Sequence, residues 1–134
     1  MRSRIALALG ALLAAIGVGL GAFGAHGLED WLLQLGYEAE LQQRIDWFET
    51  GVKYHLFHAL AIVVVALLPK SKVPGIAFLC GIFLFCGSLY AMTFLPPEWK
   101  KLGAVVPLGG LSFISGWVAL AVSALRDKPE DSAS

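Results

Sequence analysis

The sequence predicts an all-α membrane protein with four transmembrane helices in a bundle. Of its 134 residues, 57% are hydrophobic and 15% are charged, whereas soluble domains carry about a quarter charged residues. The charges cluster between four long apolar runs. Because about 20 apolar residues in a helix cross a bilayer core, each run is a candidate span. At this length we expect one domain, residues 1–134.

The first span is predicted at residues 5–25, a run without any charge that follows a basic start. Its second half is rich in glycine, which costs a soluble helix about 1 kcal/mol per residue relative to alanine. In lipid, small residues instead let another helix approach closely, and Gly17 and Gly21 have the required spacing. The alternative is a signal peptide cleaved near residues 22–24. The run is longer than a typical signal core, however, and further spans follow.

An acidic segment, residues 29–50, separates the first span from the second. It contains six carboxylates and one basic residue, Arg44. Its leucines and aromatic residues recur at helical spacing on either side of Gly36. We therefore expect one or two short amphipathic helices that lie on the membrane or cap the bundle.

The remaining spans are predicted at residues 51–68, 75–95 and 102–125, and a polar tail at 126–134. Short turns with basic residues separate these spans. Small residues recur in the last span at the spacing found where membrane helices touch. Across the chain we predict close helix packing at Gly17, Gly21, Gly24, Gly109, Gly110 and Gly116.

The charge and cysteine content exclude some classes of function. Ten basic and ten acidic residues give a formal net charge of zero, so nothing indicates a nucleic-acid partner. Cys80 and Cys86 fall within one predicted helix. Six residues of helix rise about 9 Å, and disulfides need Cα atoms within about 7 Å. We therefore expect no disulfide between them.

Four spans place both termini on one side of the membrane, and the distribution of basic residues predicts which side. Six basic residues fall on the terminal side: Arg2, Arg4, Lys70, Lys72, Arg126 and Lys128. Four fall on the opposite side: Arg44, Lys53, Lys100 and Lys101. Cytoplasmic loops carry the excess of Lys and Arg. The sequence therefore predicts a multi-pass cell (inner) membrane protein with both termini in the cytoplasm.

Four ordered motifs carry a resemblance to a known family. They are Gly21–Leu28 (GAFGAHGL), Phe48–Ala61 (FETGVKYHLFHALA), Gly87–Tyr90 (GSLY), and Pro107–Gly110 (PLGG) with Gly116-Trp117. The chain resembles the YgdD/YwdK-like small inner-membrane proteins, domain-of-unknown-function family 423. The resemblance covers nearly the whole chain and implies four membrane helices, without implying an activity. Family members commonly have Gln where this chain has His55.

Polar side chains converge on one membrane level in the predicted topology. His26 lies at the outer end of the first span, His55 and His58 at the outer start of the second, and Tyr90 near the outer end of the third. His55 and His58 are three residues apart and share a helix face. The predicted polar cluster is therefore His26, Tyr54, His55, His58 and Tyr90.

Several functions are open for this cluster. His26 and His58 are weak candidates for a metal site, because imidazole is a common zinc and copper ligand. The same pair on neighbouring helices could hold haem or a quinone. Polar residues in membranes also mark proton or solute paths. The simplest interpretation is that the histidines hydrogen-bond between helices, bonds worth about 0.6–2 kcal/mol in membranes.

No catalytic triad, paired carboxylates or phosphate-binding loop is found, so we expect no enzymatic activity and no cofactor. The predicted function is that of a small structural or accessory membrane protein, a subunit or assembly partner of a larger complex. The alternative is an oligomeric transporter or channel for a small solute or proton. The expected partners are the lipid bilayer and either further copies of the chain or a larger membrane complex.

Overall fold

The described residues of the protein are almost entirely helical. The computed structural model describes residues 4–68 and 72–126. The helices are α1 (Arg4–His26), α2 (Leu28–Gln34), α3 (Leu41–Leu67), α4 (Val73–Gly81), α5 (Gly87–Phe94) and α6 (Val106–Arg126). Two 3-10 segments cover Glu38–Glu40 and Pro97–Ala104, and a π-helical turn, Ile82–Cys86, joins α4 to α5.

Four stretches are long and apolar enough to cross a membrane: Arg4–His26, Glu38–Leu67, Val73–Phe94 and Pro97–Arg126. The predicted fold, an all-α protein with four transmembrane helices, is thereby confirmed. The third span consists of α4, the π-helical turn and α5. The predicted tail beyond Arg126 and the turn at 69–71 lie outside the described residues.

The second span begins earlier than the sequence predicted. Helix α3 starts at Leu41 instead of near residue 51, so the second half of the acidic segment belongs to it. The reason is that one buried helix face runs through this region: Arg44, Phe48, Gly51 and His55 are buried and follow one another at steps of three or four residues. With no proline in between, nothing interrupts the backbone hydrogen bonding.

The first half of the acidic segment forms the short helix α2, which ends at Gln34, shortly before Gly36. This glycine has a φ of +80°, a conformation that residues with a Cβ rarely adopt. The Gly36 N–H donates to the Leu33 carbonyl at 3.0 Å, and the Tyr37 N–H donates to the Leu32 carbonyl at 3.1 Å. This pair of bonds is a Schellman motif, and it turns the chain from α2 towards α3.

Helix α3 is the central helix of the bundle. It packs along α1 on one side and against the third span on another, and α6 packs on the third span. Accordingly, half of the apolar stretch of α3 is buried, against 11% for α1 and 17% for α6. The least buried spans, α1 and α6, are thus the two edge helices of the bundle, and α6 also reaches α3 through side-chain contacts.

Glycines bring the spans together. At four of the six predicted packing positions, an added Cβ would lie within 3.0 Å of the next helix: Gly17 against Leu56, Gly24 against Phe48, Gly109 against Phe85, and Gly116 against Phe78. Gly21 and Gly110 lie in looser contact, at 3.5 and 3.9 Å. Three glycines that the sequence did not single out are as tightly packed: Gly10, Gly51 and Gly81.

Gly109 and Gly110 provide a matched test of this packing. A Cβ at Gly109 would collide with the backbone nitrogen of Phe85, which cannot move without shifting the π-helical turn, whereas Gly110 has nothing closer than 3.9 Å. We expect Gly109→Ala to lower the free energy of unfolding by about 1–3 kcal/mol, the usual cost of overpacking. Gly110→Ala should change it little. Unfolding in detergent, followed by circular dichroism, measures both; equal effects would contradict the packing described.

Candidate functional site

Buried polar side chains lie at three positions along α3. The first is Arg44, which contacts the end of α5. Helix α5 ends just before Pro96 and Pro97. Proline has no N–H, so the carbonyls of Met92 and Thr93 lose the donors that a continuing helix would supply. Arg44 Nη1 replaces them, donating to these carbonyls at 2.9 and 2.7 Å. It also donates to the Leu95 carbonyl at 3.0 Å.

The rest of the Arg44 side chain contacts Glu40 and Tyr37, which lie just before α3. Its Nε donates to Glu40 Oε2 at 3.0 Å, and Nη2 forms an ion pair with the same oxygen at 3.0 Å. The guanidinium carbon lies 3.5 Å from the centre of the Tyr37 ring, and Lys100 Nζ pairs with Glu40 Oε1 at 2.5 Å. Arg44 therefore lies fully buried where the start of α3, the end of α5 and the 3-10 segment Pro97–Ala104 meet.

The second position is His55, which links α3 to two neighbouring helices. Its Nε2 lies 3.0 Å from the Leu13 carbonyl of α1, and its Nδ1 lies 3.2 Å from the Tyr90 hydroxyl of α5. A carbonyl can only accept, so Nε2 carries the proton and Nδ1 of the neutral ring accepts from Tyr90. Gly51 leaves the space that the Tyr90 ring occupies.

The third position is His58, which links α3 to α6. Its Nδ1 donates to the Tyr54 carbonyl at 2.7 Å, and its Nε2 accepts from Trp117 Nε1 at 3.2 Å. The imidazole stacks on Phe113, with ring centres 3.5 Å apart and planes 11° from parallel. His58 is thus the neutral tautomer opposite to that of His55, and it lies within a cage of aromatic rings.

The structure arranges four of the five predicted cluster residues in two pairs and leaves the fifth apart. His55 binds Tyr90, and His58 binds the backbone of Tyr54. His26 lies exposed at the end of α1, without a hydrogen bond or ring contact to residues 4–68 or 72–126. Leu13, the partner of His55, lies about 20 Å back along α1. His55 and His58 lie deeper than expected because α3 begins at Leu41.

The geometry gives the histidines little capacity to hold a metal. No three His, Cys, Asp or Glu side chains in the described parts of the chain are grouped so that they could bind one. Both ring nitrogens of His55 and of His58 already serve in hydrogen bonds. Coordination at either ring would therefore break a contact within or between helices, and His26 is too far from them to share a ligand set.

Sequence reasoning did not select Arg44 or Trp117, although the sequence contains the signals for both. Arg44 is the one basic residue among six carboxylates and shares a helix face with Leu41 and Phe48. The Pro-Pro pair predicts carbonyls without donors. Trp117 lies in the middle of α6, far from the membrane boundary where tryptophan usually gathers, so its N–H requires an internal acceptor.

Comparison with known proteins identifies a family of similar chains. The family model described as "Protein of unknown function (DUF423)" matches residues 20–110. The UPF0382 membrane protein YwdK of Bacillus subtilis is 40% identical over 92% of this chain and 98% of its own length. The UPF0382 inner membrane protein YgdD of Escherichia coli K12 is 33% identical over 96% and 95%.

A UPF0382 membrane protein of Haemophilus influenzae is 38% identical over 83% of this chain and 86% of its own length. No solved structure gives a significant match. The resemblance found in the four motifs is thus confirmed, and so is the membrane character of the protein.

The Arg44 site makes a prediction about stability. Arg44→Gln leaves the buried Met92 and Thr93 carbonyls without their donor, while Glu40 keeps its ion pair with Lys100. A buried group that loses its hydrogen-bond partner costs about 1–3 kcal/mol, and we expect a loss of at least that size in detergent unfolding. Lys101→Gln, which removes an exposed charge from the same end of the bundle, is the control. If both variants are equally stable, Arg44 does not hold the helix end.

The His55 site makes a second prediction. Glutamine offers one donor and one acceptor, so His55→Gln can still link Leu13 to Tyr90, whereas His55→Leu deprives both of a partner. We expect the leucine variant to lose about 0.6–2 kcal/mol of stability and the glutamine variant to lose clearly less. Thermal unfolding of the two proteins in the same detergent makes the comparison. A leucine variant as stable as the glutamine variant would rule out a role for these bonds.

Proposed function

We propose that this chain, which belongs to the DUF423 family of membrane proteins, is a small structural or accessory subunit of a larger membrane assembly. In this proposal it carries out no catalysis of its own and contributes helices to partners in the bilayer. In this proposal both termini lie in the cytoplasm, because six of the ten basic residues fall on the terminal side of the four spans and cytoplasmic loops carry the excess of Lys and Arg.

The proposal rests on one observation: the buried polar side chains of α3 form hydrogen bonds to neighbouring helices. Each joins α3 to a neighbour: His55 contacts α1 and α5, His58 contacts α6, and Arg44 binds the end of α5. Lipid is as apolar as leucine, so membrane helices associate through packing and such hydrogen bonds. Polar groups that serve in helix association support a structural role for the interior.

The two edge helices supply the surfaces that partners would contact. The outward face of α1 carries a stripe of small exposed residues at helical spacing, flanked by larger ones such as Leu12 and Val18. The small residues are Ala8, Ala11, Ala15, Gly19 and Ala22. A Cβ at Gly19 would meet no atom within 4 Å. Such a face lets a further helix approach closely. The outward face of α6 carries larger side chains, among them Leu111, Ile114 and Val118.

Transport by an oligomer is the second candidate, and one observation favours it. The three buried polar positions of α3 extend from Arg44 to His58, about 21 Å along the helix axis. Ionisable groups inside a membrane often mark the path of an ion or a proton. A copy of the chain docked beside this row could complete a path across the membrane.

Site-specific photocrosslinking in native membranes tests the accessory proposal. A photoreactive residue is placed at Val18 on α1, at Ile114 on α6, or at Phe83 on the third span as the exposed control. We expect an edge position to give one reproducible heteromeric protein adduct and the control to give lipid adducts. Native mass spectrometry of the gently extracted protein should show the same complex. Lipid adducts alone, from a monomer, would overturn the proposal.

Water access separates the two candidates. Ala59, fully buried beside His58 on α3, is changed to Cys in a background with Cys80→Ala and Cys86→Ala. A membrane-impermeant maleimide should leave this cysteine unlabelled if the chain is an accessory subunit. Labelling, together with an adduct of two chains in the crosslinking experiment, would favour an oligomeric transporter. Gln43→Cys, in the exposed first turn of α3, is the positive control.

A further inference from the structure

A groove of about 330 Å³ opens between α3 and α6 on the lipid-facing side of the bundle. Lys53, Tyr54 and Phe57 line it on α3, Trp117 lines it on α6, and His58 contributes as well. Phe57 is 60% exposed and Trp117 47%, whereas His58 is 5% exposed. His58 therefore forms the floor, and the aromatic side chains form the walls.

The groove is held open by contacts behind it. The His58 ring stacks on Phe113, and the Trp117 indole is fixed by its hydrogen bond to His58. The Tyr54 ring packs on Phe85 with ring centres 4.7 Å apart. Phe85 belongs to the π-helical turn, a distortion of α-helices that is frequent at functional sites. Tyr54, His58 and Trp117 are thus positioned by contacts within the protein.

The floor offers no free polar atom to a ligand. Both nitrogens of His58 and the Trp117 N–H are engaged with one another or with the Tyr54 carbonyl. A polar head group placed there would lose its hydration without finding partners. The groove therefore suits a hydrocarbon chain.

The mouth of the groove, in contrast, carries an unpaired cation. Lys53 makes no ion pair or hydrogen bond with other described residues, and Glu49, one turn earlier, does not pair with it. If the apolar core begins about 20 residues before the end of α3, Lys53 lies about 8 Å inside it. A lysine at this depth extends its ammonium towards the lipid phosphates of the nearer leaflet.

We propose that the groove is a binding site for one anionic phospholipid. The lipid phosphate pairs with the Lys53 ammonium, and an acyl chain lies against Phe57, Trp117 and the His58 floor. The lipid comes from the leaflet on the Arg44 side, because Lys53 lies between Arg44 and the aromatic lining along α3. An anionic head group joined to a long apolar chain matches both ends of the groove.

The selectivity of the site follows from the fact that lipid surrounds the groove. An acyl chain that enters the groove leaves other acyl chains, so burying it yields almost no hydrophobic gain. The preference for one lipid over another therefore depends on the charge at Lys53. The aromatic walls contribute to the retention of every lipid, whatever its head group.

Lipid retention in native mass spectrometry tests the proposal. The protein is reconstituted in nanodiscs of phosphatidylcholine and phosphatidylglycerol and then released into the gas phase. We expect one retained phosphatidylglycerol per chain. Lys53→Gln should lower the preference for phosphatidylglycerol about fivefold, the ratio expected for one lysine at an anionic surface. Lys53→Arg should keep it, and Lys101→Gln, with a matched charge change outside the groove, should leave it unchanged.

Phe57→Ala provides the second measurement, since it removes a wall and leaves the charge. It should lower the retention of both lipids without changing their ratio. Soluble glycerol phosphate, added in excess, should not compete, because it has no acyl chain. The proposal is overturned if the unaltered protein shows no preference between the lipids, if Lys53→Gln and Lys101→Gln act alike, or if glycerol phosphate displaces the lipid.

Discussion

The contact between Arg44 and the end of α5 is the interaction on which the arrangement of the spans depends. Pro96 and Pro97 end α5 abruptly and leave two carbonyls without backbone donors at the edge of a low-dielectric region, where an unsatisfied polar group costs several kcal/mol. One guanidinium nitrogen, donated from α3, serves both carbonyls. The charge is balanced by Glu40, so the chain can place an arginine where no water reaches.

Fixing α3 at this end determines what its other positions must contact. Three further turns along the helix, His55 lies between α1 and α5, and His58 follows opposite α6. The glycines complete the arrangement, because a Cβ at Gly17 or Gly51 would separate the helices that these bonds join. Since lipid provides no hydrophobic drive for helix association, hydrogen bonds and close packing have to act at the same places.

Apolar runs were enough to predict the four spans, because a bilayer imposes a minimum length that composition reveals directly. The start of α3 at Leu41 was not predicted, since its first turns are as polar as a surface helix and belong to the span only through their buried face. Arg44 was likewise missed, because its partners are backbone carbonyls more than 45 residues away. His26 was grouped with the other histidines on membrane level alone, and sequence does not fix that level to within a helical turn.

The directions of the hydrogen bonds at the two buried histidines favour a structural role over proton transfer within one chain. The Nε2 proton of His55 points at the Leu13 carbonyl, and the Nδ1 proton of His58 points at the Tyr54 carbonyl. A backbone carbonyl accepts a hydrogen bond but cannot pass a proton on. The hydrogen bonds from Tyr90 through His55, and from Trp117 through His58, therefore each end at a backbone carbonyl. A relay would need both rings to turn and break the contacts that join α3 to its neighbours.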